Sequence, residues 1–231
     1  MYSPSEFISG GYFLVKRIAR PKYVSENLPA TLITLSNCFT EIAPDDWAIS
    51  GYDYNDAERV AEAAKFGIPA ESVPRLVRLL SEEIGSQHPN AFPSLPLAEA
   101  FYRACIDKRE IMLFGIGLDP TLLASLDAQR NDDVNRGLGL SERVESRTPL
   151  DSCGEILGFE PLGFEATKFH SWLCHYAPAD AFEKFGIGTN SKGFIDKFDD
   201  ALRVTKHLKS TGAEPGIWEP WLVVRYAQAE R

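Results

Sequence analysis

The apolar run IMLFGIGL at residues 111–118 is the feature that most restricts the fold. It is bounded by charged residues before it and by Asp119-Pro120 after it. A short apolar run of this kind between turn residues predicts a buried strand rather than part of a helix. The segment WLVVRY at residues 221–226 has the β-branched and aromatic composition of a second strong strand. These runs place a sheet in the fold.

The remaining pattern mixes shorter strands with amphipathic helices. Strands are predicted at 12–18 and 31–36, and the glycines of GEILGFEPLGFE, residues 154–165, predict two short strands or a hairpin. A helix is predicted after Asn55, with Glu58 in the reciprocal capping position, and another from Ser94, as its cap, to Cys105. The spacing of apolar residues predicts a helix over 72–84. A further helix is predicted over 191–208. Because strands and helices do not alternate regularly, the sequence predicts an α+β fold with a mainly antiparallel sheet.

The length of 231 residues is typical of one globular domain. The polar stretch 130–153 has mixed charge and few apolar residues, which predicts an exposed loop containing at most a short helix. It can divide the chain into lobes at 1–129 and 154–231. The second part is too short for a large core of its own, so a single domain is expected.

The charge balance excludes several classes of function. The chain carries 33 acidic and 24 basic residues, a net charge of −9. Nucleic-acid binding needs a basic surface, so a nucleic-acid partner is not expected.

No apolar run reaches the length of about 18 residues that a membrane span requires. At the start of the chain the basic residues follow the short apolar run, the reverse of a secretory signal, so a cytosolic protein is expected.

The acidic residues are concentrated around one tryptophan. Between residues 41 and 58 there are six acids and no lysine or arginine: Glu41, Asp45, Asp46, Asp53, Asp56 and Glu58. Trp47 lies inside this window. An aromatic anchor surrounded by carboxylates suits recognition of a basic surface. We therefore predict a partner-binding patch formed by Asp45, Asp46, Trp47, Asp53, Asp56 and Glu58; the alternative is a solvated acidic rim with Trp47 turned inward.

A second cluster, FHSWLCHY at 169–176, carries histidines and a cysteine. On a helix, His170 and Cys174 would share a face at a spacing usable for a metal, and Cys153 could add a third ligand. On a strand, His170, Trp172 and Cys174 would share one face. A Cys174 nucleophile with His170 or His175 as base is also conceivable. The plainest interpretation is an aromatic core segment.

Sequence signatures of the common cofactor and hydrolase sites do not occur. Gly115 and Gly117 follow an apolar strand but lack the third glycine of a dinucleotide-binding turn. The four cysteines are widely spaced, so no disulfide framework is expected. No cofactor and no metal are expected.

Four segments together resemble bacterial immunity-type proteins of toxin–immunity systems: SGGYFLVKRIARP, PDDWAIS, GEILGFEPLGFE and FHSWLCH. The resemblance implies a cytosolic, non-enzymatic protein that binds and blocks one cognate toxin. Many such toxins are basic nucleases, which an acidic inhibitor would complement.

The sequence thus favours a non-catalytic binding protein. The main alternative is an enzyme of an unrecognised type, either a Cys/His-centred hydrolase or a metal-dependent one, that uses the segment from His170 to His175. A third possibility is an adaptor subunit of a larger assembly.

Overall fold

The strands predicted from the apolar runs are present and pair in a sheet. A computed structural model describes residues 2–22, 26–36, 42–43, 55–84, 91–105, 110–132, 140–165, 168–174, 177–212 and 216–226. Its strands are β1 (Ile8–Lys16), β2 (Ile18–Ala19), β3 (Thr31–Leu32), β4 (Ile42–Ala43), β5 (Ile111–Leu118), β6 (Glu155–Glu165), β7 (Lys168–Ser171) and β8 (Ile217–Arg225). Its helices are α1 (Asp56–Ala64), α2 (Val73–Ile84), α3 (Leu95–Ala104), α4 (Leu123–Asp132), α5 (Leu140–Glu145), α6 (Ala177–Phe185) and α7 (Phe198–Thr211).

Six strands form one antiparallel sheet in the order β4-β1-β5-β8-β6-β7, and β2 pairs with β3 in a small separate sheet. Strands from both parts of the chain, before residue 130 and after residue 154, therefore hydrogen-bond to one another. The predicted α+β single domain with a mainly antiparallel sheet is confirmed.

Helices cover both faces of this sheet. The first face packs against α1, α2, α3 and α6, and the second face packs against α4 and α5. Helix α7 contacts both cores, through Val204 and Leu208 on the first side and through Leu202 on the second. Residues 33–36 also lie on the second face, where Leu35 is buried. The predicted strand 111–118 is confirmed as β5: its even-numbered apolar side chains lie in the core of the second face, while Ile111 and Leu113 lie in that of the first. A sheet covered on both faces explains why this strand is apolar at every position.

Several predicted boundaries are confirmed. The Asn55 side chain accepts a hydrogen bond from the backbone N–H of Glu58, and the Glu58 carboxylate accepts one from the N–H of Asn55. Ser94 caps α3 through the N–H of Leu97. Each cap satisfies amide groups that the first helical turn leaves without partners.

The prediction of two short strands or a hairpin over 154–165 is wrong. The segment is one strand, β6, in which the pairing register with β8 shifts by one residue at Gly158. Gly158 has φ of +135°, a conformation that other residues adopt with strain. Gly163 lies against the ring of Trp218, where a Cβ atom would come within 2.6 Å of it. These glycines thus serve a β-bulge and a close packing contact rather than chain reversals.

Two other segments differ from prediction. The helix predicted over 191–208 begins later, at Phe198, because the preceding backbone is bonded elsewhere. The Asn190 side-chain oxygen accepts hydrogen bonds from the N–H groups of Lys192 and Phe194, and Ile195 bridges to Phe159 of β6. The stretch 130–153 contains the short helix allowed for in the prediction, α5, and residues 145–149 are exposed. It is not wholly an exposed loop, because Leu140, Val144 and Leu150 are buried in the core.

Candidate functional site

The predicted acidic patch falls largely on residues whose structure is not described. Asp45, Asp46, Trp47 and Asp53 lie within 44–54, outside the described residues. Asp56 and Glu58 lie in the first turn of α1, where the helix dipole stabilises negative charge. The Asp56 side chain is fully exposed and lies 3.7 Å from the Arg59 guanidinium. The patch as a whole stays a prediction, and its two described members face solvent.

Acidic residues dominate the sequence well beyond this patch. Residues 41–84 contain ten acidic and four basic residues, a net charge of −6 out of −9 for the chain. In the described part of this range, α1 and α2 contact each other. The carboxylate residues Glu71, Glu82 and Glu83 are exposed on or beside α2. Two thirds of the net charge is thus confined to one continuous segment.

The His/Cys segment changes conformation in its middle. His170 is half-buried in β7, and the chain then enters a 3₁₀ turn, Trp172–Cys174; His175 lies outside the described residues. The backbone from His170 to Cys174 therefore forms neither one helix nor one strand, which are the conformations that the two predicted arrangements require. Trp172 is buried, as the interpretation of a core segment predicts.

Cys153 cannot join His170 in a metal site. Cys153 precedes the first residue of β6, whereas His170 pairs with Gly163 near the other end of that strand. At the usual rise of a strand, this separation exceeds about 20 Å. Desolvation and the neighbouring Asp151 carboxylate raise the pKa of the Cys153 thiol to about 11, which disfavours the reactive thiolate. Among the described residues, no cluster of three His, Cys, Asp or Glu side chains could hold a metal ion.

Two buried glutamates on the second face of the sheet were missed by the sequence analysis. Glu160 of β6 and Glu219 of β8 have side chains in the core and are exposed by 1% or less. In the register of these strands, Glu160 pairs with Trp221 and Leu162 pairs with Glu219. The glutamates are therefore diagonal neighbours on the same face, a relation that places Cα atoms about 7 to 8 Å apart.

Glu160 is bonded by two other segments of the chain. One of its carboxyl oxygens, Oε1, accepts hydrogen bonds from the hydroxyls of Thr34 and Ser171, each at 2.6 Å. The other, Oε2, accepts a longer one, 3.4 Å, from the backbone N–H of Leu35. Burial raises the pKa of Glu160 to about 7, because the loss of hydration outweighs these three hydrogen bonds. Glu160 thus attaches residues 33–36 to the sheet.

Glu219 is bonded by two helices. The Lys209 ammonium of α7 donates to its Oε1 at 2.9 Å, and the Ser125 hydroxyl of α4 donates to the same oxygen at 2.8 Å. The Lys209 side chain is 29% exposed whereas that of Glu219 is 1% exposed. A buried carboxylate of this kind requires a cation and hydrogen-bond donors beside it. Glu219 therefore attaches α4 and α7 to the sheet.

A proline follows each glutamate, and the two prolines are paired. Pro161 lies opposite Pro220 in the β6–β8 register. Pairing between β6 and β7 stops at Leu162, and pairing between β8 and β5 stops at Trp221. Each proline thus lies one residue beyond the end of a ladder. Its missing N–H group therefore breaks no pairing with β7 in the case of Pro161 and none with β5 in the case of Pro220. Two Glu-Pro dipeptides inside apolar strands were the sequence signal that could have indicated this region.

The bonding of the two glutamates assigns them a positioning role. Their described partners are protein groups, and the two surface cavities described near Arg17 and near Arg147 are lined by neither of them. Their chemistry is to fix the segments that cover the second face. Residues 33–36, held by Glu160, precede in the sequence the acidic stretch that begins at residue 41.

Comparison of the chain with protein-family models, with curated proteins and with solved structures gives no match. Among the helices in the described part of the chain, none combines the length and the apolar character needed to cross a bilayer.

Replacing Glu160 with glutamine should flatten the pH dependence of stability. Because the folded protein binds this proton more tightly than the unfolded chain, whose group titrates near 4.5, Glu160 favours folding below that pH. This contribution is lost as the pH rises through about 7, a change of about 3 kcal/mol in the free energy of unfolding. The neutral amide removes the change. Urea unfolding of Glu160→Gln and wild type across this range measures the difference.

Glu183→Gln, a substitution at an exposed position on α6, is the control and should follow the wild-type curve. A pH dependence for Glu160→Gln that parallels the wild type would show that Glu160 is not the responsible group.

Replacing Lys209 with methionine should destabilise the fold, because the buried Glu219 carboxylate loses its cation. Breaking a buried ion pair from one side typically costs about 3 kcal/mol. Lys209→Met/Glu219→Gln, which removes both charges, should recover most of the loss. Lys206→Met, at an exposed position on the same helix, should leave the free energy of unfolding nearly unchanged. Equal unfolding curves for Lys209→Met and Lys206→Met would contradict the assignment.

Proposed function

We propose that this protein is a non-catalytic binding protein, an immunity protein that neutralises a cognate bacterial toxin by occluding it. The observation that carries the proposal is the location of the negative charge: residues 41–84 hold a net charge of −6, and the described carboxylate residues in this range are mostly exposed. A basic toxin surface is the partner that such a segment would complement.

The electrostatics favour fast association with a basic partner. Exposed carboxylates of one sign attract a cationic surface over distances comparable to the Debye length, about 8 Å at physiological ionic strength. Such steering raises the association rate of charged protein pairs and weakens as salt is added. The Asp56 carboxylate, fully exposed at the start of α1, is positioned to take part in this attraction.

Attachments before and after residues 44–54 in the sequence support the use of this part of the acidic segment as a binding surface. On one side, Thr34 and Leu35 are bonded to the buried Glu160, and β4 pairs with β1. On the other side, the capping box at Asn55 fixes the start of α1. Trp47 lies between these attachments in the sequence and is the aromatic anchor in the proposal. The partner's active surface would be covered rather than chemically altered.

The resemblance of four sequence segments to immunity-type proteins of toxin–immunity systems supports the same proposal. Immunity proteins of this kind act in the cytoplasm of the cell that makes the toxin. The proposal therefore places this chain in the bacterial cytoplasm, bound to a toxin encoded nearby.

A growth assay tests the function directly. Each protein encoded next to this chain's gene would be expressed in a bacterial host, alone and together with this chain. One neighbour should arrest growth when expressed alone, and co-expression should restore growth. If no neighbouring product is toxic, or if co-expression leaves growth arrested, the immunity function is wrong.

Charge reversal tests the acidic surface. The variant Asp46→Lys/Asp53→Lys/Asp56→Lys should slow association with the neutralised toxin at least fivefold at low salt, because it reverses the local field. Glu110→Lys/Asp127→Lys/Glu183→Lys, at exposed positions elsewhere, makes the same change in total charge and should slow association much less. Biolayer interferometry measures both rates. Equal slowing by the two variants would show that total charge, not this surface, governs association.

A further inference from the structure

A basic cavity lies beside the strand ends of the sheet, where β1 and β8 end and β6 begins. It has a volume of about 320 Å³. Its charged lining residues are Arg17, Lys192 and Arg225, and its apolar ones include Pro29, Ile33 and Leu157. A volume of this size is at the lower end of the range typical of small-molecule sites.

The cavity has an excess of positive charge in a chain that is strongly negative overall. Its three cationic side chains come from separate segments: the residue after β1, the turn before α7, and the end of β8. One carboxylate, Glu155, bonds both the Lys192 ammonium and the Arg225 guanidinium. These two cations lower the pKa of Glu155, so it stays ionised. Arg17, Lys192, Arg225 and Glu155 together carry a net charge of +2.

Arg17 supplies a charge that no carboxylate among the described residues pairs with. Its backbone N–H bonds the carbonyl oxygen of Glu110, which fixes the main chain at the cavity wall. Its side chain is exposed, and among the described residues no carboxylate pairs with the guanidinium. A guanidinium presents N–H donors in a planar fork that suits the oxygens of a phosphate.

The cavity walls are fixed without a ligand. The Arg20 guanidinium donates to the carbonyl oxygens of Glu26 and Leu28, which holds the chain before Pro29. The Asn190 side-chain amide donates to the carbonyl oxygen of Leu157, and its oxygen accepts from the N–H of Lys192. Thr34, next to Ile33, is bonded to Glu160. A site held in this way loses little conformational freedom on binding.

We propose that this cavity binds a small phosphate monoester in its dianionic form. The net charge of +2 matches the dianion, the Arg17 fork and the Lys192 ammonium supply donors for its oxygens, and Pro29, Ile33 and Leu157 contact the ester group. The volume admits a single compact molecule rather than a polymer. The site shares no residue with the acidic 41–84 segment, so it can be tested independently of the proposed function.

The test is isothermal titration calorimetry with phenyl phosphate at low ionic strength and pH 8. The wild type should bind with one saturable site. Arg17→Gln and Lys192→Gln should each weaken binding at least tenfold, since each removes one cation from the cavity. Arg147→Gln is the matched control, because Arg147 lines a separate cavity beside Pro149 and its substitution should leave the affinity unchanged.

A second probe tests the chemical class. Phenyl sulfate has the same shape but one negative charge, and it should bind at least fivefold more weakly. The absence of saturable binding of phenyl phosphate, or equal weakening by Arg147→Gln, would overturn the site. Equal affinity for phenyl sulfate would overturn its preference for a dianion. Circular dichroism checks that the variants fold; since Arg17 and Lys192 are both exposed, either variant alone keeps the test decisive.

Discussion

Two carboxylates buried on one face of the β6–β8 pair determine what can cover that face. A buried glutamate is tolerated only with hydrogen-bond donors or a cation beside it, and each donor fixes the segment that carries it. Glu160 requires Thr34, Leu35 and Ser171, which positions residues 33–36 and β7. Glu219 requires Ser125 and Lys209, which positions α4 and α7. Polar bonding at two positions thus selects one arrangement among the many that apolar packing alone would allow.

The bonding of residues 33–36 to Glu160 also bears on the basic cavity. Ile33, the first of these residues, lines the basic cavity, and residues 33–36 precede the acidic segment in the sequence. The Thr34 bond to Glu160 therefore fixes one wall of the cavity. The basic cavity and the acidic segment share no residue, so the proposed small-anion site leaves the charge of the acidic segment unchanged.

The sequence predicted the elements whose cause is local. The apolar run of β5, the cap at Asn55 and the cap at Ser94 depend on residues within a few positions of one another, and the structure confirms each of them. Prediction from the sequence was wrong where a residue's conformation or burial depends on residues far away in the chain. Gly158 and Gly163 indicated turns, because neither the bulge opposite β8 nor the ring of Trp218 is visible in the local sequence. Glu160 was missed for the same reason: one of its two hydroxyl partners, Thr34, is 126 residues away in the sequence.

Glu160 is a buried carboxylic acid that holds residues 33–36 against the sheet. Carbon-13 NMR of glutamate carboxyl groups, with Glu160 assigned from the spectrum of Glu160→Gln, measures its titration directly. We expect a midpoint near pH 7, well above the ordinary value of 4.5, because Glu160 is buried. A midpoint at or below 4.5 would mean that the carboxylate is solvated or paired with a cation, and would contradict the anchoring of residues 33–36 by Glu160.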